Sequence, residues 1–167
     1  MDAKNKRNFI LLGHAQSGKT SLCESMLYFC KATNRKGTVP DGTTVSDYSF
    51  DEIDRKSSIN CSLLYCDYKD TRIQIIDAPG YADFFGDVIS GIRAVDSAVI
   101  VVDAASGVEV GTERAWQIVE EWHLPCIFFV NKLDKEGAEL KKVLSDIQQS
   151  LSKKALMVDS LDEPQLI

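Results

Sequence analysis

No apolar run in this chain reaches the length that a membrane-spanning helix requires, so no span of that kind is expected. The first eight residues, MDAKNKRN, are charged and lack the apolar stretch of a secretory signal. There is no excess of positive charge. The net charge of −6 argues against broad electrostatic contact with nucleic acid, and no sequence-specific contact is expected. The one short basic cluster, Lys4–Asn5–Lys6–Arg7, reads as a solvated terminus. The five cysteines form no Cys-x-x-Cys pair, and no histidine stands at zinc spacing from them. Their number is odd and most sit in apolar stretches, which fits reduced core thiols of a cytoplasmic protein. Repeats, low-complexity tracts and the dinucleotide-binding pattern G-x-G-x-x-G are absent as well.

What is present starts at Phe9. The 167 residues, 44% of them hydrophobic, suit one globular domain with a core. Phe9 to Leu12 form a short apolar run that predicts a buried strand. It is followed by GHAQSGKT, Gly13 to Thr20, which fits G-x-x-x-x-G-K-[ST] at every fixed position. Gly13 and Gly18 let the backbone turn tightly and approach a phosphate. Successive N–H groups and the start of a helix then point at negative oxygen. Gly13, His14, Ala15, Gln16, Ser17, Gly18, Lys19, Thr20 and Ser21 are therefore the predicted phosphate cradle. Lys19 is placed to reach the β- and γ-phosphates, and Thr20 to offer its hydroxyl to Mg²⁺.

Further along, Leu22, Ser25/Met26 and Phe29/Cys30 recur at helical steps and predict a helix over Ser21–Thr33. Asn34 to Ser58 show no clean period and are polar. A segment that long is either a surface insertion or one that orders over a phosphate and its Mg²⁺. Without nucleotide, disorder is expected there. Ile59–Tyr68 and Thr71–Asp77, joined by Lys69–Asp70, predict an antiparallel hairpin. The second of these strands ends in DAPG, Asp77 to Gly80, where Asp77 suits a Walker B acid that holds Mg²⁺ through water. Helices are predicted over Tyr81–Val95, Val110–His123 and Glu136–Leu151. SAVIVVD, Ser97 to Asp103, is a β-branched run of the kind buried on both faces of a parallel sheet. Pro125–Val130 is the next buried strand, and Ala155–Val158 a candidate for a last one.

The strand after Pro125 ends in Asn131–Lys132–Leu133–Asp134. A carboxylate placed like Asp134 accepts two N–H bonds from guanine N1 and N2. Adenine lacks that donor pair and would leave a buried carboxylate unpaired. The amide of Asn131 can bond the purine edge, and Lys132 can lay its stem along the base towards the phosphate loop. The plainer reading is a strand-to-helix turn with Asp134 as an N-cap.

Strands alternating with helices, with these three motifs in this order, predict an α/β P-loop NTPase G domain. Its architecture is a three-layer αβα sandwich with a mostly parallel sheet and one antiparallel edge hairpin. GHAQSGKTSL, DAPGYADF, AVIVVDAASGVEVGTERAW and FFVNKLDKEGA resemble the translational GTPases, most closely elongation factor G and its paralogues. GTTVSDYSFDEIDRKSSIN resembles the first switch region more loosely. The resemblance implies GTP/GDP and Mg²⁺ as ligands and GTP hydrolysis stimulated by the ribosome. It assigns switch movement to about Gly37–Ser58 and Gly80–Asp87, with Gly80 N–H sensing the γ-phosphate. It also implies a G domain over residues 1–160 that stops short of the last base-binding loop, with 161–167 as a tail, and the chain is expected as a monomer. Three departures stand out. Tyr81 occupies the place of a histidine that orients the attacking water, and a phenol is no ready base at pH 7. Ser58 falls where a threonine coordinates Mg²⁺, and Gln16 where an aspartate is usual. The alternatives are a nucleotide-binding switch with little hydrolysis, which Tyr81 favours, and a P-loop ATPase, which Asn131 and Asp134 disfavour.

Overall fold

Strand β4 (Ser97–Asp103) runs through the middle of the molecule with Ile100, Val101 and Val102 fully buried. Parallel neighbours flank it: β1 (Lys6–Leu12) on one side and β5 (Cys126–Asn131) on the other. Beyond β1 lies β3 (Thr71–Asp77), also parallel, and at the edge β2 (Ser62–Tyr68), antiparallel to β3. The order is β2-β3-β1-β4-β5. The computed structural model describes residues 5–158, so the tail 161–167 lies outside the described residues.

Helices cover both faces, which gives the expected three layers. On one face α1 (Lys19–Phe29) packs Cys23 and Leu27 against Leu11, Ile75 and Val101. On the other, α3 (Phe85–Ile92), α4 (Val110–Glu121) and α5 (Leu140–Ser150) close a larger core around Ile10, Leu12, Ile100 and Val102. All five cysteines are free thiols, and burial pushes the Cys23 thiol up, away from reactivity.

Several boundaries differ from the sequence reading, each for a local reason. β1 begins at Lys6, because Lys6 to Asn8 pair with Arg72 to Gln74 although their side chains are polar. β2 begins only at Ser62, since the amides of Ile59 and Asn60 are taken by the Glu52 carboxylate. The helix predicted from Tyr81 opens as a 3-10 turn, Ala82–Phe84, and α5 starts at Leu140 after Gly137 turns the chain at φ 82°. Ala155–Val158 form no strand, and Leu156 and Val158 point outward.

The long polar segment is corrected most. It contains a helix, α2 (Phe50–Arg55), opened by a reciprocal capping box in which Ser49 and Glu52 bond each other's backbone N–H. Its apolar side is not turned inward: Phe50 is 81% exposed, so no inward stripe marks the helix.

Candidate nucleotide site

The site gathers at the C-terminal ends of β1, β3, β4 and β5, where side chains from distant parts of the sequence meet. After Leu12 the chain turns through Gly13 to Gly18 into α1. Gly18 has φ 101°, and a Cβ there would run into the Asn131 side-chain nitrogen. Lys19 is buried at the start of α1 and donates to the Gly13 and His14 carbonyls, at 3.2 and 2.8 Å, bridging the loop from within. Gly80 packs on top, and a Cβ there would lie 2.5 Å from Lys19 Nζ and 2.8 Å from Ala15 N.

Around Lys19 the polar groups form a chain. Thr20 donates to Asp77 Oδ2 at 2.8 Å and stands 3.2 Å from the Ser58 hydroxyl. Ser58 in turn donates to Asp47 Oδ1 at 2.7 Å. Asp47 and Asp77 are both buried. Burial pushes the Asp77 carboxyl up to about 6, against the Thr20 hydrogen bond and the Lys19 charge. Burial also raises Asp47, despite the hydrogen bond from Ser58. Lys19 is driven down to about 8 by its burial, which the two acids only partly oppose.

These residues fit a hard divalent cation. Asp77 Oδ1 is buried and finds no hydrogen-bond partner among the described residues. Two carboxylates share a single buried ammonium, and a further positive charge would relieve both. Two hydroxyls complete an all-oxygen donor set of the kind Mg²⁺ takes. Thr20, Ser58 and Asp77 were predicted for this end. Asp47 was not, because its partner lies eleven residues along the chain in a segment without period.

Buried glutamates hold the polar segment over this end. Glu24, on α1, accepts from Gly37 N at 2.8 Å and Val45 N at 2.6 Å. Glu52 accepts from Ile59 N and Asn60 N at 3.0 and 3.1 Å. The first anchors the backbone two residues before Asp47, and the second anchors it directly after Ser58. Sequence reasoning missed both. The S-x-x-E spacing of Ser49 and Glu52 was the available signal for the second.

At the far end, Asn131 Nδ2 donates to Ser17 O at 3.0 Å, and its Oδ1 accepts from Lys132 N at 2.9 Å. Its amide fastens the turn after β5 to the phosphate loop. Lys132 Nζ donates to Gln16 O at 2.5 Å. Asp134 is exposed beside them. Tyr81 follows Gly80 and is not among the residues that line the cleft of Lys19, Thr20, Asp47 and Ser58. It is 42% exposed and lines an apolar cavity of about 220 Å³ with His14, Phe85, Val88, Val110 and Arg114. His14 turns to α4, where its Nδ1 accepts from Gly111 N at 3.2 Å.

Strand, phosphate-loop turn and helix, the acid ending β3, and Asn-Lys-x-Asp ending β5 define a P-loop GTPase G domain fold. The chain belongs to the elongation factor Tu GTP binding domain family, whose model matches residues 4–165. It is 40% identical over 150 residues to a mitochondrial ribosome-releasing factor 2 of Danio rerio, covering 90% of this chain and 20% of that protein. To elongation factor G 2 of Streptomyces coelicolor it is 39% identical over 152 residues, covering 91% of this chain and 22% of the other. A crystal structure of a Thermus thermophilus protein superposes with a TM-score of 0.84 at 38% identity, over 87% of this chain and 22% of that one. The chain thus spans about a fifth of the length of the relatives it matches.

Proposed function

We propose that this chain binds GTP and GDP together with Mg²⁺ and hydrolyses GTP slowly, with the ribosome as the stimulating partner. One observation carries the reading: the phosphate loop and the Asn131–Asp134 turn are hydrogen-bonded to each other through Ser17 and Gln16. A single ligand can therefore lie with its phosphates on Lys19 and its base beside Asp134. Gly13 to Ser21 cradle the phosphates, and Asn131, Lys132 and Asp134 take the base side. Thr20, Ser58, Asp47 and, through water, Asp77 would hold Mg²⁺, which when bound neutralises charge on the phosphate oxygens.

In hydrolysis, water attacks the γ-phosphorus and the bond to the β–γ bridging oxygen breaks. Lys19 and the loop N–H groups stabilise the charge that passes to the leaving phosphate. Gly80 N–H senses the γ-phosphate. Among the described residues the cleft of Lys19, Thr20, Asp47 and Ser58 is lined by no arginine; slow turnover is expected alone, with a partner supplying a factor of order 10³–10⁵. The names of the relatives include a mitochondrial factor as well as bacterial ones, so the cytoplasm is one compartment of two that they suggest. Among the described residues no helix is long and apolar enough to cross a membrane.

Competition binding of GTP, GDP and ATP to the purified protein with Mg²⁺ tests the ligand assignment. GTP and GDP should displace each other and ATP should not; equal affinity for ATP and GTP would return the chain to the ATPases. The second reading, a switch that binds nucleotide and hydrolyses little, is favoured by the place of Tyr81 in the apolar cavity. Phosphate release measured with and without ribosomes separates the two. No stimulation, and none in a Tyr81→His variant, supports the switch.

A further inference from the structure

Asp103 ends β4, the strand that separates the phosphate loop after β1 from the base-side turn after β5. In the sheet register it pairs with Asn131, and Ala104 N donates to Asn131 O at 2.8 Å. Its side chain is only 7% exposed. Oδ1 accepts from Ala105 N at 2.9 Å and Ser106 N at 3.4 Å. Oδ2 accepts from Lys132 Nζ at 2.7 Å, and Lys135 Nζ lies 3.7 Å from the same oxygen. The Lys132 ammonium is thus gripped on two sides, by Asp103 and by the Gln16 carbonyl. Both Lys132 and Gln16 have φ 62°, a left-handed backbone that side chains rarely adopt. A carboxylate that holds Lys132 by its tip helps to keep this pair of strained turns together.

We propose that Asp103 is a positioning residue of the base pocket, fixing the Lys132 stem as the flat surface on which a purine ring lies. The proposal rests on the nucleotide reading above and adds a residue to it. Without Asp103 the lysine keeps one neutral acceptor, the Gln16 carbonyl, and its four-carbon stem regains rotamers that point into solvent. Burial by itself would raise the Asp103 carboxyl, but the Lys132 ammonium and the Ala105 and Ser106 amides outweigh it and hold it below its ordinary value. It is therefore a full charge at neutral pH.

A competing role is purely local: Asp103 could serve only the turn through Ala105 and Ser106. Asp103→Asn separates the two, because its amide oxygen still accepts from those N–H groups while the charge facing Lys132 is gone. The measurement is titration of GDP, ADP and inorganic triphosphate into the wild type, Asp103→Asn, Lys132→Ala and the double variant. A charged hydrogen bond of this kind predicts GDP affinity about tenfold weaker in Asp103→Asn. Inorganic triphosphate, which has no ring, should bind within about twofold of the wild type, and the double variant should lose no more than Lys132→Ala alone. Unchanged GDP affinity overturns the proposal. So does an equal loss for GDP and triphosphate, or losses that add in the double variant. If the wild type takes ADP as well as GDP and both weaken together, the guanine reading fails while the platform stands. A wild type that takes neither nucleotide overturns both.

Discussion

At the scale of single residues, Asp134 is the sharpest case. It stands exposed, next to Asn131 and Lys132, which are both committed to the phosphate loop. A guanine ring that meets it donates from N1 and N2 together, whereas an adenine ring presents no such pair and gains nothing to offset dehydrating the carboxylate. Asp134→Asn replaces one acceptor by a donor and should turn the preference towards xanthine nucleotides, whose C2 carries a carbonyl. Competition between GDP and XDP reads this directly. A loss of one charged hydrogen bond corresponds to roughly ten- to a hundredfold in GDP affinity. A variant that keeps its GDP preference rules Asp134 out of the base pocket. What was legible at this scale were the residues of contiguous motifs: Lys19, Thr20, Asp77, Asn131 and Asp134 announce themselves by their neighbours in sequence. Asp47, Glu24 and Asp103 do not. Each acts on a partner 11 to 29 residues away, at a separation set by the sheet and the loops, and no spacing rule encodes it.

At the scale of elements, the decisive one is the segment between α1 and β2, which sequence reading treated as a loop. Its six-residue helix was hidden because Phe50 faces outward and the apolar period is too short to register, while the capping box was there to be read. The segment is held less by apolar packing than by Glu24 and Glu52, two buried carboxylates that accept backbone N–H groups on either side of Asp47 and Ser58. Glu24→Gln retains one carbonyl oxygen and so can keep only one of the two amides. Hydrogen exchange at Gly37 or Val45 should accelerate by about ten- to a hundredfold, the equivalent of one lost charged hydrogen bond. The amides of β1 and β4 should not change. Uniform acceleration across the sheet would mean that Glu24 supports the whole fold and not this segment.

The same element should respond to acid. Burial alone would raise the Glu52 carboxyl from its ordinary 4.5, but hydrogen bonds from Ile59, Asn60 and Ser49 overcome it and the net shift is downward. A depressed carboxyl binds fewer protons folded than unfolded. Its contribution is therefore complete above about pH 4.5 and is lost as the pH falls through the lower folded value. Limited proteolysis between residues 37 and 60 should accelerate below that pH in the wild type. In Glu52→Gln, cleavage should be faster already at pH 7 and should lack the acid step. An acid step that persists in the variant assigns it to another group.

At the scale of the whole molecule, the sheet order turns three separate strand ends into one receptor. The phosphate loop leaves β1, the base-side turn leaves β5, and β4 lies between them with Asp103 at its tip, so a ligand that spans both turns needs all three strands in register. This much follows from alternating strands and helices, which made the architecture readable from the sequence. Less readable was the open side of β5, where Ile127 is 66% exposed: among the described residues α1 is the helix on that face, and its Cys23 and Leu27 pack on Leu11, Ile75 and Val101. Since ligand binding requires the assembled strands, it must stabilise all of them. Guanine nucleotide at about 100 times its Kd contributes about 2.7 kcal/mol. For a chain of this size that raises the Tm by roughly 5–10 °C. ATP at the same concentration should leave the transition in place. In Asp134→Asn the GDP shift should shrink and reappear with XDP, while the Tm without ligand stays as in the wild type, because the exposed side chain supports no packing. A thermal shift of equal size with GTP and ATP would show that only the phosphates are held, and that the ends of β1 and β5 are not joined through the base.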